Sequence, residues 1–253
     1  MEISIPALLA AGAHFGHLTS RWNPKMKPFL FGEREGTHLF DLEKTAELLA
    51  NALAFLGKIR KSGREVLFVG TKGQAQEAMR AAAEKSKSPF IVERWLGGTL
   101  TNFEEIKKRI RYFRQLEKAG TTDDFAKLTK KEQLMKMREL NKMRVNFEGL
   151  RDLEELPGAL FVVDTVREKH AVREARLCGI PVVAIADSNA DPDLIDLPIP
   201  MNDDSVAAIE LTSSLAAEAL GSSRPEKKPA AAAKNSGEKK AAPAKNSSAS
   251  KKS

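Results

Sequence analysis

Short apolar runs alternate with segments of helical period along most of this chain. Four runs of three to five apolar residues are typical of strands buried on both faces, and they span 66–69, 90–92, 159–163 and 182–186. A further short strand is indicated at His38–Phe40. Apolar spacing of three and four residues predicts helices over 3–13, 42–60, 74–85, 166–177 and 205–220. Strands that alternate with helices predict an α/β fold with a mostly parallel sheet covered on both faces.

One segment interrupts this alternation and predicts a pair of helices. Thr101 and Glu104 fit the capping box T-x-x-E, and Thr129 and Glu132 fit a second one. Each capping box precedes apolar residues spaced by three and four. They are Phe103, Ile106, Ile110 and Phe113 after the first box, and Leu140, Met143, Phe147 and Leu150 after the second. Two such helices predict an antiparallel coiled-coil hairpin, joined near Gly120, and its outer face is rich in lysine and arginine.

The run from His14 to Gly32, HFGHLTSRWNPKMKPFLFG, has neither helical nor strand period. It combines aromatic, cationic and proline residues, and irregular backbone of this kind is costly to order without a surface to dock on. A nucleic-acid or protein surface suits it better than catalysis. The alternative is an arm folded over its own core, with its Phe and Trp residues as packing.

The net charge of +7 is concentrated at one end of the chain. Residues 221–253 carry nine basic and two acidic side chains, so residues 1–220 are neutral as a whole. That body is still polarised, since residues 104–147 sum to +6 and residues 148–220 to −10. One side could therefore meet an anion and the other a basic protein. The tail lacks aromatic and branched apolar residues and is predicted to be disordered, either attracted to polyanions or merely solubilising.

Composition also indicates the cellular compartment in which the protein is expected. No apolar run approaches the ~20 residues of a membrane helix, and the N-terminus lacks the pattern of a signal peptide. The single cysteine, Cys178, cannot form an intrachain disulfide and lies in an apolar context, as a buried inert thiol would. A cytoplasmic protein is expected.

Little in the sequence points to catalysis. The loop Gly70–Gly73 lies between a predicted strand and helix, where phosphates often bind, but it matches neither phosphate-loop nor dinucleotide signatures. An ordinary tight turn is the favoured interpretation. Ser188 has no G-x-S-x-G frame, so no nucleophile can be matched to a base.

Carboxylates follow the last strands of the predicted sheet, and they could hold a metal ion. Asp187 ends one strand, and Asp203 and Asp204 precede the last helix. Because the carboxyl ends of parallel strands share one edge, His17 from the arm could join them in a site for Zn²⁺ or another divalent metal. The alternative is that Asp204 caps the helix and the other groups form loop hydrogen bonds.

Several long sequence motifs resemble those of the ribosomal protein S2 family of the bacterial small subunit. They are LLAAGAHFGHLTSRWNPKMKPFLFG, DLEKT, VLFVGTKGQAQ, RWLGGTLTNF, LTKKE, GIPVVAIADSNADPD and IPMNDDS, in that order along residues 3–220. The resemblance implies a flavodoxin-like three-layer α/β/α domain at 1–220 with a helical hairpin inserted at about 102–150. It implies a non-enzymatic, ribosome-bound protein with no required cofactor, which contacts small-subunit rRNA between head and body and helps to hold ribosomal protein S1.

On this reading the cations would contact phosphate and RNA shape. The candidate RNA-binding residues are Arg21, Lys25, Lys27, Arg94, Lys107, Lys108, Arg111 and Arg114. Trp22 or Phe29 would stack on a base or anchor a partner, and the acidic C-terminal edge would face protein. Two rivals stay open: a nucleotide-using α/β enzyme, with Gly70–Gly73 as its phosphate site, and a coiled-coil adaptor without nucleic acid.

Overall fold

A computed structural model describes residues 3–119 and 128–222 of the chain. The described strands are β1 Phe15–Leu18, β2 Leu30–Arg34, β3 Thr37–Phe40, β4 Val66–Val69, β5 Phe90–Ile91, β6 Ala159–Val163, β7 Val182–Ala186 and β8 Leu197–Pro200. The described helices are α1 Ile5–Ala10, α2 Leu42–Lys61, α3 Gly73–Ser86, α4 Phe103–Ala119, α5 Lys130–Phe147, α6 Lys169–Leu177 and α7 Val206–Leu220. Single turns of 3-10 helix occupy Thr19–Arg21, Glu148–Leu150 and Pro192–Leu194, and a longer one spans Pro24–Phe29.

Five parallel strands form the central sheet, in the order β5-β4-β6-β7-β8. Alternate residues of each strand enter two different cores, as strands buried on both faces require. Phe68 and Phe161 pack with α1, α2, α3 and α7, with their ring centroids 5.3 Å apart. Leu67 and Leu160 pack with α4, α5 and α6 on the other face. The predicted three-layer α/β/α architecture is confirmed.

Side-chain caps fix where the helices begin. The Asp41 carboxylate accepts from two amides at the start of α2, and Ser205 caps α7. The predicted box of Thr129 and Glu132 forms at the start of α5. The other predicted box is wrong: the Thr101 hydroxyl donates to a carboxylate on α6, and α4 begins two residues later.

The two helices of the predicted hairpin pack on each other and on the sheet. Ile110 and Phe113 of α4 share one buried cluster with Leu140 and Phe147 of α5 and with the sheet residues on that face. The Tyr112 hydroxyl donates to Glu139 of α5 at 3.0 Å. The junction expected near residue 120 lies outside the described residues, so the hairpin as an inserted unit stays a prediction, as does the tail beyond 222.

The run from residue 14 to 32 is more regular than its sequence suggests. Its ends form β1 and β2, which pair antiparallel with β3 between them. A tight turn joins β2 to β3 through Glu35 and Gly36, both at positive φ (53° and 74°), as hairpin turns of this length require. Met26 is fully buried, and the Asn23 amide donates to the Ser188 carbonyl at 2.7 Å. The arm therefore folds over its own core, which was the alternative interpretation.

Two expectations from composition concern the helices and the single cysteine. Among the described helices none combines the length and apolarity needed to cross a membrane. The expectation of a buried cysteine is wrong in part, because Cys178 is only half-buried at the end of α6, and that burial raises the pKa of its thiol. A raised pKa leaves little reactive thiolate, which agrees with an inert cysteine.

Candidate functional site

Charged side chains from four strands and the arm converge at the carboxyl edge of the sheet. Lys72 follows β4, Asp164 ends β6, Asp187 ends β7, and Asp203 follows β8. Parallel strands place these positions side by side, and ligand sites of open α/β sheets form at this edge. His17 reaches the same place from β1, as expected from the sequence.

The arm holds His17 firmly against the end of β7. Its backbone amide donates to Asp187 Oδ1 at 3.1 Å and to Ser188 Oγ at 2.9 Å, and its Nδ1 lies 2.9 Å from Asp187 Oδ1. Gly16 permits this approach, because a Cβ there would lie 3.1 Å from Ser188 Oγ. The hydrogen bond with Asp187 raises the pKa of His17 against the opposing effect of burial. His17 Nε2 lies 3.8 Å from Asp204.

Lys72 is the counterion that the sequence analysis did not identify. Its Nζ lies 2.6 Å from Asp203, 2.5 Å from Asp204 and 3.6 Å from Asp164. Burial acts to lower the pKa of Lys72, but hydrogen bonds with Asp203 and Asp204 raise it overall. Burial, reinforced by the charges of Asp187 and Asp164, raises the pKa of Asp203 to about 7. The only sequence signal for Lys72 was its position after a buried strand.

Three of the four predicted metal ligands come together. His17, Asp187 and Asp203 can each offer a ligand atom within 4.8 Å of the others. The fourth, Asp204, lies beside the imidazole and is held by Lys72. The donor set of one imidazole and carboxylates suits Zn²⁺. With four carboxylates against one lysine and one histidine, the cluster carries an excess of negative charge.

The loop Gly70–Gly73 is filled by a carboxylate of the protein itself. Glu168, which is 2% exposed, accepts from the Thr71 amide at 2.9 Å and from its hydroxyl at 2.5 Å. Burial raises the pKa of Glu168, and the hydrogen bonds from Thr71 oppose this. The amide and hydroxyl of Thr71 are therefore already satisfied within the protein, which favours the tight turn over a nucleotide site.

Glu174 organises the turn between β5 and α4, which sequence reasoning did not detect. Its Oε1 accepts from the Trp95 indole at 3.0 Å and the Gly98 amide at 2.8 Å. Its Oε2 accepts from the Leu100 amide at 3.0 Å and from the Thr101 amide and hydroxyl at 3.2 and 3.1 Å. One carboxylate thereby fixes the loop that follows Arg94. A glutamate in the middle of a helix gives no local signal for this role.

Three of the eight candidate RNA-binding cations are engaged within the protein. Lys25 lies 2.9 Å from Asp191 and 2.7 Å from Asp193, on the loop after β7. Lys108 pairs with a glutamate one turn away on α4 at 2.5 Å. Arg114 donates to a backbone carbonyl and lies 3.7 Å from Asp152. Any phosphate contact by these groups would have to replace an existing interaction.

The other five candidates are available. Arg21, Lys27, Arg94 and Arg111 are exposed and Lys107 is half-exposed. No carboxylate within residues 3–119 or 128–222 lies within salt-bridge distance of Arg21, Lys27, Arg94, Lys107 or Arg111. The arm and α4 cover the same side of the sheet, because Met26 and Ile110 belong to one buried cluster. The arm and α4 therefore pack on the same face of the sheet, and the available cations lie on these two elements and on the loop between β5 and α4.

The two aromatic residues proposed as partner anchors are half-buried. The Trp22 ring packs on His38, with ring centroids 4.7 Å apart, and Phe29 packs against the core below α4. The arm's most exposed aromatic residue is Phe31, at 80%.

Comparisons with known proteins give a family model and a set of similar proteins. The family model described as ribosomal protein S2 matches residues 8–223. The chain is 50% identical to the small ribosomal subunit protein uS2 of Coprothermobacter proteolyticus over 218 residues, 86% of this chain and 81% of the relative. It is 48% identical to the protein of that name from Roseiflexus castenholzii, over 86% of this chain and 82% of the relative. The corresponding protein of Chloroherpeton thalassium is 47% identical, over 87% and 88%.

Proposed function

Because this chain belongs to the ribosomal protein S2 family, we propose that it binds small-subunit rRNA with the side of its domain covered by the arm and α4. Members of this family are structural ribosomal proteins and not enzymes. The filled loop at Gly70–Gly73 gives an independent reason to set the nucleotide-using enzyme aside. The described cations, rather than a catalytic centre, are the groups that match a polyanionic partner.

The available cations on the arm and α4 are the observation that carries the proposal. An exposed cation without an ion pair gives up no protein contact when it meets a phosphate, so Arg21, Lys27, Lys107 and Arg111 are the primary contacts. Arg94 directly precedes the turn that Glu174 organises. Contacts of this kind fix position on the RNA rather than read its sequence. Lys25, Lys108 and Arg114 would contribute secondarily, by exchanging their carboxylates for phosphate.

A salt titration tests the α4 part of this surface. The variant Lys107→Gln/Arg111→Gln is compared with Lys58→Gln/Lys61→Gln, whose lysines are exposed at the end of α2 on the opposite side. Binding to small-subunit rRNA is measured across salt concentrations. Because affinity falls as salt rises, losing two phosphate contacts should make the plot of log affinity against log salt concentration less steep, by about 1.5 in slope. Equal slopes for the two variants would contradict an RNA contact through α4.

Sedimentation tests the role in the cell. A cell lysate carrying the tagged full chain is separated on a gradient, and the protein is expected to migrate with small subunits and leave them in high salt. A coiled-coil adaptor without nucleic acid would not follow the small subunit. Migration at the top of the gradient would refute the ribosome-bound assignment.

We also propose that the arm helps to hold ribosomal protein S1. The family resemblance and the half-exposed rings of Trp22 and Phe29 support this proposal. S1 retention is measured on small subunits carrying Trp22→Leu/Phe29→Leu, with Phe55→Leu as a control beneath the other face. Loss of S1 from the arm variant alone, at equal rRNA binding, supports this contact, and unchanged S1 content counts against it.

The carboxylate cluster is the candidate for a divalent cation. His17, Asp187 and Asp203 supply the donor set, and binding would require Lys72 to release Asp203 or share it. Zinc content and zinc affinity are measured for the purified protein, for His17→Ala, and for His170→Ala as an exposed control histidine. Binding lost only with His17 supports the site. Metal absent from all three proteins would leave the cluster as a Lys72-centred ion-pair network.

A further inference from the structure

A stripe of exposed apolar side chains runs along α5 and plays no part in the rRNA contact proposed above. Leu134, Met137 and Val145 are 52%, 43% and 57% exposed. Together with Asn141 they are spaced by three, four and four residues. At about 100° per residue they occupy one strip of the helix roughly 80° wide. Apolar residues in this spacing are typical of a helix that packs against another helix.

This stripe is separate from the face that α5 buries. Leu140 and Phe147 are 7% and 5% exposed and join the core below the sheet. They lie about 120° around the helix from the centre of the stripe. The packing of α5 on its own domain therefore leaves the stripe open.

Cationic groups border the stripe within α5. The carboxylates of this helix lie away from it, because Glu132 closes the capping box with Thr129 and Glu139 accepts from Tyr112. The bordering residues are Lys130, Lys131, Arg138 and Arg144, and Arg144 also lies 3.9 Å from Glu117 of α4. An apolar strip with a cationic border is complementary to an apolar strip with an anionic border.

We propose that the stripe docks an acidic amphipathic helix of another protein. RNA could use the cations but would leave Leu134, Met137 and Val145 in water, and the stripe has no aromatic ring on which a base could stack. The chain's own tail does not fit, because residues 221–253 carry nine basic and two acidic side chains. A second copy of α5 would bring the same cations and be repelled.

Designed peptides test the chemistry of this surface in solution. The probes are two three-heptad helical peptides with leucine at a and d, one with glutamate and the other with lysine at e and g. The full chain is expected to bind the glutamate peptide at least about tenfold more tightly than the lysine peptide. Leu134→Ser/Met137→Ser should weaken it about tenfold, and Lys131→Glu/Arg138→Glu should reverse the preference. Leu177→Ser, an exposed apolar residue at 72% on α6, is the control.

Three outcomes overturn the proposal. They are equal binding of both peptides, no change with the serine pair, and binding of a single-stranded RNA oligonucleotide that the serine pair weakens. These measurements do not depend on the rRNA contact, because they use the isolated chain and changes outside α4 and the arm. Helical content is checked by circular dichroism, and the exposed positions of all these changes leave the fold intact.

Photo-cross-linking tests the same surface in the assembled particle. A benzoylphenylalanine replaces Met137 in the full chain, with a second protein carrying it at Leu177, and cross-linked peptides from small subunits are sequenced. A cross-link from position 137 alone to a helical segment with acidic flanking residues supports the proposal. A cross-link to rRNA, or none, refutes it.

Discussion

Replacing Glu174 is expected to destabilise the domain through the turn that follows β5. Its two oxygens accept five hydrogen bonds, four of them from Trp95, Gly98, Leu100 and the amide of Thr101. Hydrogen bonds to a charged group contribute about 1.5–3 kcal/mol each, net of the exchange with water, and bonds that share one carboxylate are not additive. Glu174 is half-buried and water can reach the donors that Glu174→Ala leaves unpaired, so this change should cost about 3 kcal/mol.

The same carboxylate gives the prediction a pH signature. Burial acts to raise the pKa of Glu174, but the hydrogen bonds from the Trp95 indole and the loop amides lower it overall. A lowered folded-state pKa means that the stabilisation is present above the unfolded-state pKa of 4.5 and is lost as pH falls through the folded-state pKa. The difference between the wild-type protein and Glu174→Gln should therefore shrink in acid.

Urea unfolding followed by tryptophan fluorescence and circular dichroism measures both effects. At pH 7 a loss of about 3 kcal/mol corresponds to a melting temperature lower by roughly 6–12 °C for a domain of this size. Glu84→Ala, an exposed glutamate on α3, is the matched control and should change stability by less than about 0.5 kcal/mol. Two results would refute the reasoning. One is a Glu174→Ala variant as stable as the wild-type protein, and the other is a stability difference between wild type and Glu174→Gln that grows in acid.

Three further changes follow from the structure and can be measured by the same unfolding assay. Gly149→Ala should cost about 3 kcal/mol, because its Cβ would lie 2.2 Å from the Phe90 carbonyl oxygen; a near-neutral result would mean that the backbone shifts freely there. Thr129→Ala removes the cap of α5 and should cost about 1 kcal/mol, visible also as lost helical ellipticity. Lys72→Met leaves Asp203 without its counterion and should lower the free energy of unfolding by about 3 kcal/mol above pH 7. The loss should be smaller at lower pH, because the Asp203 carboxyl becomes protonated. A loss of stability that does not change with pH would contradict this.

The central strands could be predicted from the sequence because their signal is local. The runs Ala159–Val163 and Val182–Ala186 are apolar at every position, as strands buried on both faces must be. The edge strand β8 was missed, since Pro198 and Pro200 argue against a strand by composition. Proline is tolerated there because β8, within residues 3–119 and 128–222, pairs on one side only, with β7. The two strands of the arm were missed because neither alternates cleanly between apolar and polar residues.

The carboxylate cluster was predictable only in part. Topology brings strand ends together, so His17, Asp187 and Asp203 could be grouped from the sequence alone. Lys72 and Glu168 required knowledge of which side chains fill the space between those ends. Partners 97 and 131 residues apart leave no local pattern.

The arm links the carboxylate cluster to the proposed RNA surface. His17 is tied to Asp187, the Asn23 amide donates to the Ser188 carbonyl, and Lys25 pairs with Asp191 on the same loop. These contacts fix both ends of the segment that carries Arg21, so the position of that cation depends on the end of β7. A carboxylate cluster that is structural in itself would therefore still influence RNA binding, by holding the arm's cations in place before the RNA arrives. Preorganisation of this kind lowers the entropic cost of binding, because the arm is already ordered.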